Sequence, residues 1–307
     1  MTHELRLGFV GLGNLGRHLA ASLSRAGFPL AVHDRDPAAA DPLVELGAVA
    51  AGSPAEVAAS SDAVFTCLPS PSAIDQVLTG PAGLLEGIRE AATWIDCSTN
   101  DPASVRRRAA LVESAGAHCL EAPVTGGVHL AAVGKITVLV GGDAELYERY
   151  RPAFEAIGGT VFHVGPLGSA AAAKVITNML AFVHLVAAGE ALTLAARAGL
   201  DLGQTYEVIK ASSGTSFVHE TESQVILNGS YDIGFTLELA CKDLGFAREL
   251  GRDLAVPLEL AELVGETFER ARDRYGNAAW SPMVVRLLEE AAGVELRAPG
   301  FPERIEA

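Results

Sequence analysis

Residues 5–16 read LRLGFVGLGNLG, an apolar run followed by glycines in the pattern G-x-G-x-x-G. This pattern, placed between a strand and a helix, is typical of a loop that binds the pyrophosphate of a dinucleotide. Gly11 makes the tight turn, Gly13 leaves room beside the backbone, and Gly16 lets the helix pack closely on the strand. Free N–H groups at the start of the helix then attract the phosphates. The sequence therefore predicts a dinucleotide-binding loop.

The second predicted contact to the dinucleotide is a carboxylate. Asp34 follows a short apolar run at residues 30–33, about 20 residues beyond the glycines. It would accept hydrogen bonds from ribose hydroxyls and repel a 2′-phosphate, which favours NAD over NADP. Arg35 beside it can instead hold a 2′-phosphate, so NADP stays an alternative. The cofactor residues predicted in this region are Gly11, Gly13, Asn14, Leu15, Gly16, Asp34 and Arg35.

Two kinds of pattern divide the chain. Residues 1–165 alternate short β-branched runs with helical patterns, which is typical of a parallel sheet covered by helices. After the glycine and proline cluster at residues 165–168 the strand patterns largely stop. We predict an α/β fold with a Rossmann-type doubly wound domain at residues 1–165 and an all-α substrate and oligomerisation domain at residues 166–307. A long helix at residues 169–198, apolar on nearly every face, is expected to join them and to be buried on all sides.

Charge and composition exclude other classes of protein. The 307 residues include 23 Lys+Arg and 38 Asp+Glu, a formal charge of −15, which would repel nucleic acids and anionic membranes. The most apolar stretch, residues 175–189, is too short to span a bilayer. The first residues have no signal-peptide pattern, so we expect a cytoplasmic protein. The four cysteines have neither C-x-x-C spacing nor His partners at ligand spacing, which predicts buried free thiols and no metal site.

Six motifs follow one another along the chain: GFVGLGNLG, CLPSP, DCST, EAPVTGG, GSAAAAKVITN and LACKDLGFA. In this order, and over nearly the whole length, they resemble the β-hydroxyacid dehydrogenases, the family of 3-hydroxyisobutyrate dehydrogenase and tartronate semialdehyde reductase. The resemblance implies an oxidoreductase that transfers a hydride between NAD(P) and a small carboxylate-bearing β-hydroxy acid. Because relatives form dimers or tetramers, it also implies a homodimer or homotetramer. The sequence does not choose among 3-hydroxyisobutyrate, 3-hydroxypropionate, serine-like, threonate and tartronate semialdehyde-type substrates.

The resemblance makes Lys174, in the motif K-x-x-x-N, the catalytic residue. Oxidation of an alcohol requires removal of the hydroxyl proton as the hydride leaves, and the reverse reduction requires a proton donor. A buried lysine can do both, since apolar neighbours favour its neutral form. Asn178 lies one helical turn further on the same face, so both side chains can address one small ligand.

A glycine-containing loop follows the strand predicted at residues 117–121. Its consecutive backbone N–H groups suit a carboxylate. The resemblance implies that Thr125, Gly126 and Gly127 bind the substrate carboxylate together with Asn178. Thr125 departs from the serine of many relatives. Its hydroxyl keeps the hydrogen bond, while its methyl group narrows the pocket and leaves the preferred substrate open.

The same resemblance implies further contacts to the cofactor. Leu68 and Pro69 would lie along it, and Thr99 would lie near the nicotinamide ribose. Lys242 would reach the cofactor from the helical domain. The alternative for Lys242 is an ion pair with Asp243 or another carboxylate.

Three further residues each have two interpretations. Such a residue could contact the distal group of the substrate, or it could be an ordinary loop or surface residue. They are His129, Lys135 and His219. Lys135 also stands where relatives often have threonine.

Three other functions fit the residues less well. 6-Phosphogluconate dehydrogenase is much longer and has histidine where this chain has Thr177. Imine reductases share the fold and the glycine motif but typically lack the lysine present here as Lys174. A non-catalytic dinucleotide-binding scaffold would not need Lys174 or Asn178, and both are intact.

Overall fold

The structure, a computed structural model, describes residues 5–306. It forms two compact units, one ending at Lys174 and the other beginning at Val175. In the first unit two apolar cores lie on opposite faces of a sheet, because successive side chains of a strand point to opposite sides. Phe65 therefore belongs to one core and Val64 to the other. The second unit has a helical core of its own. The domain boundary predicted after residue 165 stays a prediction.

A mixed sheet forms the centre of the first unit. Its strands are β1 (Leu7–Val10), β2 (Leu30–His33), β3 (Val49–Ala50), β4 (Ala63–Thr66), β5 (Thr93–Asp96), β6 (His118–Glu121), β7 (Val124–Thr125), β8 (Ile136–Gly142) and β9 (Gly158–Gly165). They are ordered β3-β2-β1-β4-β5-β6-β8-β7, with β9 paired to β8. Strands β1 to β6 pair in parallel, whereas β8 runs antiparallel to β6 and β7. The order reverses at β1, and open α/β sheets bind ligands beyond the carboxyl ends of strands at such a point.

Helices cover this sheet and build the second unit. Those of the first unit are α1 (Gly16–Arg25), α2 (Asp41–Glu45), α3 (Pro54–Ser60), α4 (Pro71–Thr79), α5 (Leu84–Gly87), α6 (Pro102–Ser114), α7 (Val128–Ala132) and α8 (Ala144–Ile157). Helix α9 (Ser169–Arg197) runs from the first unit into the second. The second unit continues with α10 (Leu202–Lys210), α11 (Phe217–Asn228), α12 (Leu237–Asp253), α13 (Glu259–Tyr275) and α14 (Arg286–Ala292). This is the predicted α/β domain followed by a helical domain.

Three helices of the first unit begin with the same local signal. Ser53, Ser70 and Asp101 each accept a hydrogen bond from a backbone N–H of the first turn of α3, α4 and α6. A proline follows each of these caps, and its fixed φ suits the first helical position.

Helix α9 corrects one expectation, because it is not buried on all sides. Ile176, Leu180 and Leu194 are 53%, 48% and 72% exposed, whereas Val175 and Leu192 are buried. Apolar composition predicts burial of a helix, but it does not tell which side packs against neighbours. With 29 residues the helix is long and apolar enough to cross a membrane by length and composition alone, which is weak evidence. The cytoplasmic location stays a prediction.

Candidate active site

The glycine loop follows β1 at the point where the strand order reverses. Gly11 has a φ of +97°, and a side chain there would collide with the carbonyl oxygen of Cys67. A side chain at Gly16 would collide with the carbonyl oxygen of Gly11, which explains how closely α1 approaches the loop. At Gly13, by contrast, no atom lies within 4 Å of the position of a Cβ. The loop thus has the tight turn, the open space and the close helix that the sequence predicts.

The start of α1 suits an anion. Leu15 occupies the N-cap and makes no side-chain hydrogen bond to the first turn. The Arg17 and His18 N–H groups donate to the carbonyl oxygens of Gly13 and Leu15, and no side-chain cap offsets the partial positive charge of the helix start, which attracts a phosphate. Asn14, next to Leu15, is exposed. The residues present fit a dinucleotide pyrophosphate.

Asp34 directly follows β2 and holds the glycine loop. Its Oδ2 accepts a hydrogen bond from the backbone N–H of Leu12 at 2.7 Å, and its Oδ1 accepts one from the backbone N–H of Asp36 at 2.9 Å. A carboxylate has about four lone-pair sites, so Asp34 can also accept from a ribose hydroxyl. Arg35 beside it is exposed. The predicted ribose contact is therefore also a structural part of the loop.

A buried carboxylate that the sequence analysis missed holds the next two strand ends. Asp96 ends β5 and accepts hydrogen bonds from the Thr66 hydroxyl, the Ser98 backbone N–H and the Asn100 amide, at 2.8, 3.0 and 2.9 Å. Burial raises the pKa of Asp96, and its hydrogen bonds to Ser98 and Thr66 oppose that rise. Ser98 in turn accepts from the backbone N–H of Leu68 at 2.9 Å. One hydrogen-bonded network thus fixes the loops after β4 and β5.

The predicted cofactor contacts of the first unit lie on these two loops. Leu68 is half-buried and lies beside the glycine loop, since a Cβ at Gly11 would come 2.9 Å from its Cδ2. Pro69 is exposed and Thr99 is half-buried. The structure therefore brings Leu68 to the glycine loop.

The predicted carboxylate loop follows β7. Thr125 ends that strand, and Gly126 and Gly127 have φ values of +121° and +89°, which favour glycine. The ring of His129 lies beside Gly127, since a Cβ there would come 3.0 Å from the His129 Nδ1. Burial lowers the pKa of His129, which favours a neutral imidazole next to the loop.

Lys174 lies in α9, and its side chain is only 8% exposed. Lysine is almost never so buried without a compensating interaction, so this position differs from that of an ordinary surface lysine. Asn178 follows four residues later in the same helix. Residues at this spacing are neighbours on one face of a helix.

The second unit contains a further buried carboxylate beside two predicted site residues. Asp243, in α12, is 1% exposed. Its Oδ2 accepts a hydrogen bond from the Asn178 amide at 2.7 Å. Its Oδ1 lies 2.9 Å from the Lys242 Nζ, as an ion pair rather than a well-directed hydrogen bond. The Lys242 ammonium also lies 5.2 Å from the centre of the Phe246 ring. From the sequence, Asp243 is predicted only as a possible ion-pair partner of Lys242. The hydrogen bond between Asn178 and Asp243 was not predicted.

Two of the residues with open roles have clear surroundings. His219 is 1% exposed, stacks on the ring of Tyr206, and its Nε2 lies 3.0 Å from the Tyr206 carbonyl oxygen. Its Nδ1 lies 3.3 Å from the Ser223 hydroxyl. These contacts make His219 part of the packing of the second unit. Lys135 is exposed in the turn before β8.

The cysteines are free thiols, as predicted. Cys97 and Cys119 are buried, and burial raises the pKa of both thiols well above the usual value. Cys67 and Cys241 are half-buried. Among residues 5–306, no group of three or more His, Cys, Asp or Glu side chains is placed to hold a metal ion.

Comparison with known families and proteins decides the family. The NAD binding domain of 6-phosphogluconate dehydrogenase matches residues 6–165, and the NAD-binding domain of NADP-dependent 3-hydroxyisobutyrate dehydrogenase matches residues 168–288. The 2-(hydroxymethyl)glutarate dehydrogenase of Eubacterium barkeri is 31% identical over 297 residues, which cover 96% of this chain and 99% of that protein. The chain belongs to the β-hydroxyacid dehydrogenase family.

Other members of the β-hydroxyacid dehydrogenase family are similar over most of their length. The NAD-dependent L-serine dehydrogenase of Pseudomonas aeruginosa is 36% identical over 84% of this chain and 89% of its own. The crystal structure of 3-hydroxyisobutyrate dehydrogenase from Salmonella typhimurium has a TM-score of 0.86 at 30% identity and covers 92% of this chain and 100% of its own. An imine reductase from Myxococcus stipitatus, at 19% identity and a TM-score of 0.63, shares the fold alone.

Membership of the β-hydroxyacid dehydrogenase family confirms three predictions. They are the family itself, the Rossmann-type domain followed by a helical domain, and NAD(P) as the cofactor. The preference between NAD and NADP, the substrate and the roles of single residues stay predictions.

Proposed function

We propose that the protein is a dehydrogenase of small β-hydroxy acids that uses NAD in preference to NADP, with Lys174 as its general acid and base. The observation that carries this proposal is the burial of Lys174, 8% exposed, one helical turn before Asn178 in a chain of this family. A lysine is rarely buried to this extent. A catalytic role accounts for keeping a lysine there.

The proton chemistry belongs to Lys174. NAD(P), when bound, supplies the hydride acceptor for oxidation and the hydride donor for reduction. During oxidation, the neutral Nζ of Lys174 takes the proton of the substrate hydroxyl. During reduction, the ammonium returns that proton to the carbonyl oxygen. Lys174 is therefore neutral before oxidation and protonated after it, and reduction runs through the same two states in reverse.

The orienting groups are Asn178 and the loop after β7. The hydrogen bond to Asp243 fixes the rotation of the Asn178 amide. Its orientation is then set before the substrate binds, which lowers the entropy that binding must remove. The substrate carboxylate binds at the loop Thr125, Gly126 and Gly127, in which Gly126 and Gly127 have positive φ values, since consecutive backbone N–H groups suit an anion.

The cofactor preference follows from Asp34. Its carboxylate stands at the end of β2, held by two backbone N–H groups, and would repel a 2′-phosphate. Arg35 is the one argument on this loop for NADP. The residues proposed to bind the cofactor are Gly11, Gly13, Asn14, Leu15, Gly16, Asp34, Arg35, Leu68, Pro69, Thr99 and Lys242.

The substrate class is set by chemistry that the candidates share, a hydroxyl on the carbon β to a carboxylate. 3-Hydroxyisobutyrate, 3-hydroxypropionate, serine-like amino acids, threonate and glycerate, the reduced form of tartronate semialdehyde, all have it. The names of the relatives add 2-(hydroxymethyl)glutarate and L-serine to this group. We propose that the protein acts on one of these in the cytoplasm.

We also propose a homodimer or homotetramer. The exposed apolar residues Ile176, Leu180 and Leu194 on α9, with Leu260 and Leu263 on α13, are 48% to 72% exposed. Ile176 and Leu180 are neighbours on one face of α9, as are Leu260 and Leu263 on α13, and exposed apolar surface often marks a protein interface. Light scattering after size exclusion should give a multiple of 31.9 kDa, and a mass of one chain contradicts this proposal.

The decisive experiment measures initial rates of NAD and NADP reduction over this panel at mildly alkaline pH. Lys174→Ala should bind NADH as the wild type does and lose turnover, because only the proton-transfer group is removed. Lys210→Ala, in α10, is the matched control and should keep the wild-type rate. No turnover on any panel member, despite NADH binding, would instead favour a non-catalytic dinucleotide-binding scaffold.

A further inference from the structure

Glu121 is a buried carboxylate at the end of β6 that the proton chemistry above does not use. It is 2% exposed. Its Oε1 accepts hydrogen bonds from the backbone N–H groups of Gly168 and Ala170, at 2.6 and 2.9 Å, and its Oε2 accepts one from Ala171 at 2.9 Å. The three donors lie 47 to 50 residues further along the chain. Glu121 therefore ties the sheet to the start of α9.

The first N–H groups of a helix have no partner within the helix, and they carry a partial positive charge. Glu121 supplies a carboxylate to three N–H groups at the start of α9, which begins at Ser169. Burial raises the pKa of Glu121, while the three N–H groups oppose that rise by stabilising the ionised form. A carboxylate from a distant strand thus does what a local capping side chain does for other helices.

The sheet is shaped to admit this carboxylate. Gly141 in β8 is the partner of Glu121 in the antiparallel pairing of β6 and β8. A Cβ at Gly141 would collide with the Oε1 of Glu121. The backbone φ of Gly141 lies outside the left-handed region, so the space, rather than the conformation, requires glycine there.

The two ends of this link carry different parts of the proposed site. Beyond Glu121, the chain passes through Ala122 and Pro123 to the loop Thr125, Gly126 and Gly127. Beyond Ala171, α9 reaches Lys174 in three residues, less than one turn. Rotation or sliding of the first turn of α9 would therefore move Lys174 directly, relative to the loop that begins four residues after Glu121.

We propose that Glu121 is a positioning residue, which sets the place of the Lys174 amine relative to the substrate-carboxylate loop by fixing the first turn of α9. This inference deepens the proposed function and rests on it. A misplacement of about 1 Å of a reacting group can lower the rate about 100-fold. The contact should therefore matter for kcat much more than for binding of the cofactor.

Two variants disturb this contact in different ways. Glu121→Gln keeps the shape of the side chain and removes its charge. It also places an amide NH₂, which cannot accept a hydrogen bond, opposite one of the three backbone N–H groups. Gly141→Ala keeps the carboxylate but pushes it away from the helix. We expect both to lower kcat about 10-fold to 100-fold, with KM for the substrate and Kd for NADH within about threefold of wild type.

Two controls separate positioning from stability. Asp143→Ala removes a helix cap of α8, where Asp143 accepts from Glu145 and Leu146 at 2.9 Å. Glu289→Gln removes a buried carboxylate of the second unit that accepts the backbone N–H of Leu296 at 2.7 Å. Both should lower Tm and leave kcat per folded protein within about twofold of wild type.

The outcomes are distinct. If Glu121→Gln and Gly141→Ala lower Tm but leave kcat as the controls do, Glu121 is only structural and the proposal is wrong. If wild type itself has no turnover on the panel, the proposed function fails, and the positioning role fails with it. In that case amide hydrogen exchange of residues 168–171, faster in Glu121→Gln than in Asp143→Ala, still reports whether the carboxylate anchors the helix.

Discussion

Asp96 in the first unit and Asp243 in the second are both buried aspartates beside predicted site residues, but their partners differ. Asp96 accepts hydrogen bonds from a hydroxyl, a backbone N–H and an amide, all neutral. Asp243 is shared between the amide of Asn178 and the ammonium of Lys242. The difference suggests two tasks. We infer that Asp96, with its neutral partners, fixes the backbone of two loops. Asp243 instead fixes the side chains of Asn178 and Lys242, which are proposed to contact the substrate and the cofactor.

Of the two aspartates, Asp243 should show the larger effect on the rate when it is replaced by asparagine (Asp243→Asn). The variant has no charge to hold Lys242, and one side of its amide donates where the carboxylate accepted. We expect kcat to fall about 100-fold, because the Asn178 amide loses its fixed rotation. Steady-state rates with the best panel substrate measure this, with Asp201→Asn, an exposed helix cap of α10, as the control. A kcat within threefold of wild type would mean that Asp243 does not orient a side chain that takes part in the reaction.

For Asp96→Asn we expect a smaller effect, which lowers the stability of the protein rather than its rate. One of its oxygens is replaced by an NH₂ group, which leaves at least one buried hydrogen bond unmade. The free energy of unfolding should fall by about 2 kcal/mol, as measured by urea denaturation. The kcat of the folded protein should change little, because the loops after β4 and β5 keep the Ser98 hydroxyl. If kcat falls as far as in Asp243→Asn, the proposed division of tasks is wrong.

How much of this arrangement the sequence could predict depends on the distance between partners. Gly11, Gly13, Gly16 and Asp34 act within one strand–loop–helix–strand unit, so their pattern was readable. The hydrogen bond between Asn178 and Asp243 spans 65 residues, and no local pattern encodes it.

Local signals were also left unused. Ser53, Ser70 and Asp101, each followed by a proline, cap the starts of α3, α4 and α6, and no prediction used this signal. Strand β3, Val49–Ala50, has two residues, which is too short for a period to be seen. The exposed side of α9 was hidden because composition averages over all faces of a helix.

Glu222 extends the comparison to the effect of pH, because burial rather than a hydrogen-bond partner dominates one of its carboxyl oxygens. Glu222 in α11 has a buried Oε2 without a hydrogen-bond partner, and burial raises its pKa to about 8. The unfolded chain releases the proton near pH 4.5, so between pH 4.5 and 8 the folded state binds more protons. Stability from this group is therefore full below pH 4.5 and is lost as the pH rises towards 8.

Glu222→Gln should remove that loss. We expect its Tm to exceed that of wild type by a few degrees at pH 8, and the difference to shrink towards pH 5. Differential scanning calorimetry at both pH values tests this. A difference that is independent of pH would mean that Glu222 has a partner in solution, and that burial alone does not set its behaviour.

The smallest effect should come from Thr125→Ser, which keeps the hydroxyl and removes one methyl group from the carboxylate loop. Because about 0.8 kcal/mol accompanies each buried CH₂, the ratio of KM for 3-hydroxyisobutyrate to that for 3-hydroxypropionate should change about fourfold. The kcat should stay the same, since the backbone N–H groups of the loop are unaltered. A large loss of kcat would show that the side chain of Thr125, and not only the backbone of the loop, takes part in the reaction.

Asp34 imposes a condition on anyone who wishes to redesign this protein for the other nicotinamide cofactor. Its carboxylate is the obvious target, yet the same oxygens accept the N–H groups of Leu12 and Asp36. A library that replaces Asp34 with alanine or a basic residue would therefore remove the support of the glycine loop together with the charge. Serine, threonine or asparagine at this position would retain an acceptor for the Leu12 N–H and should dominate among the folded members of the library.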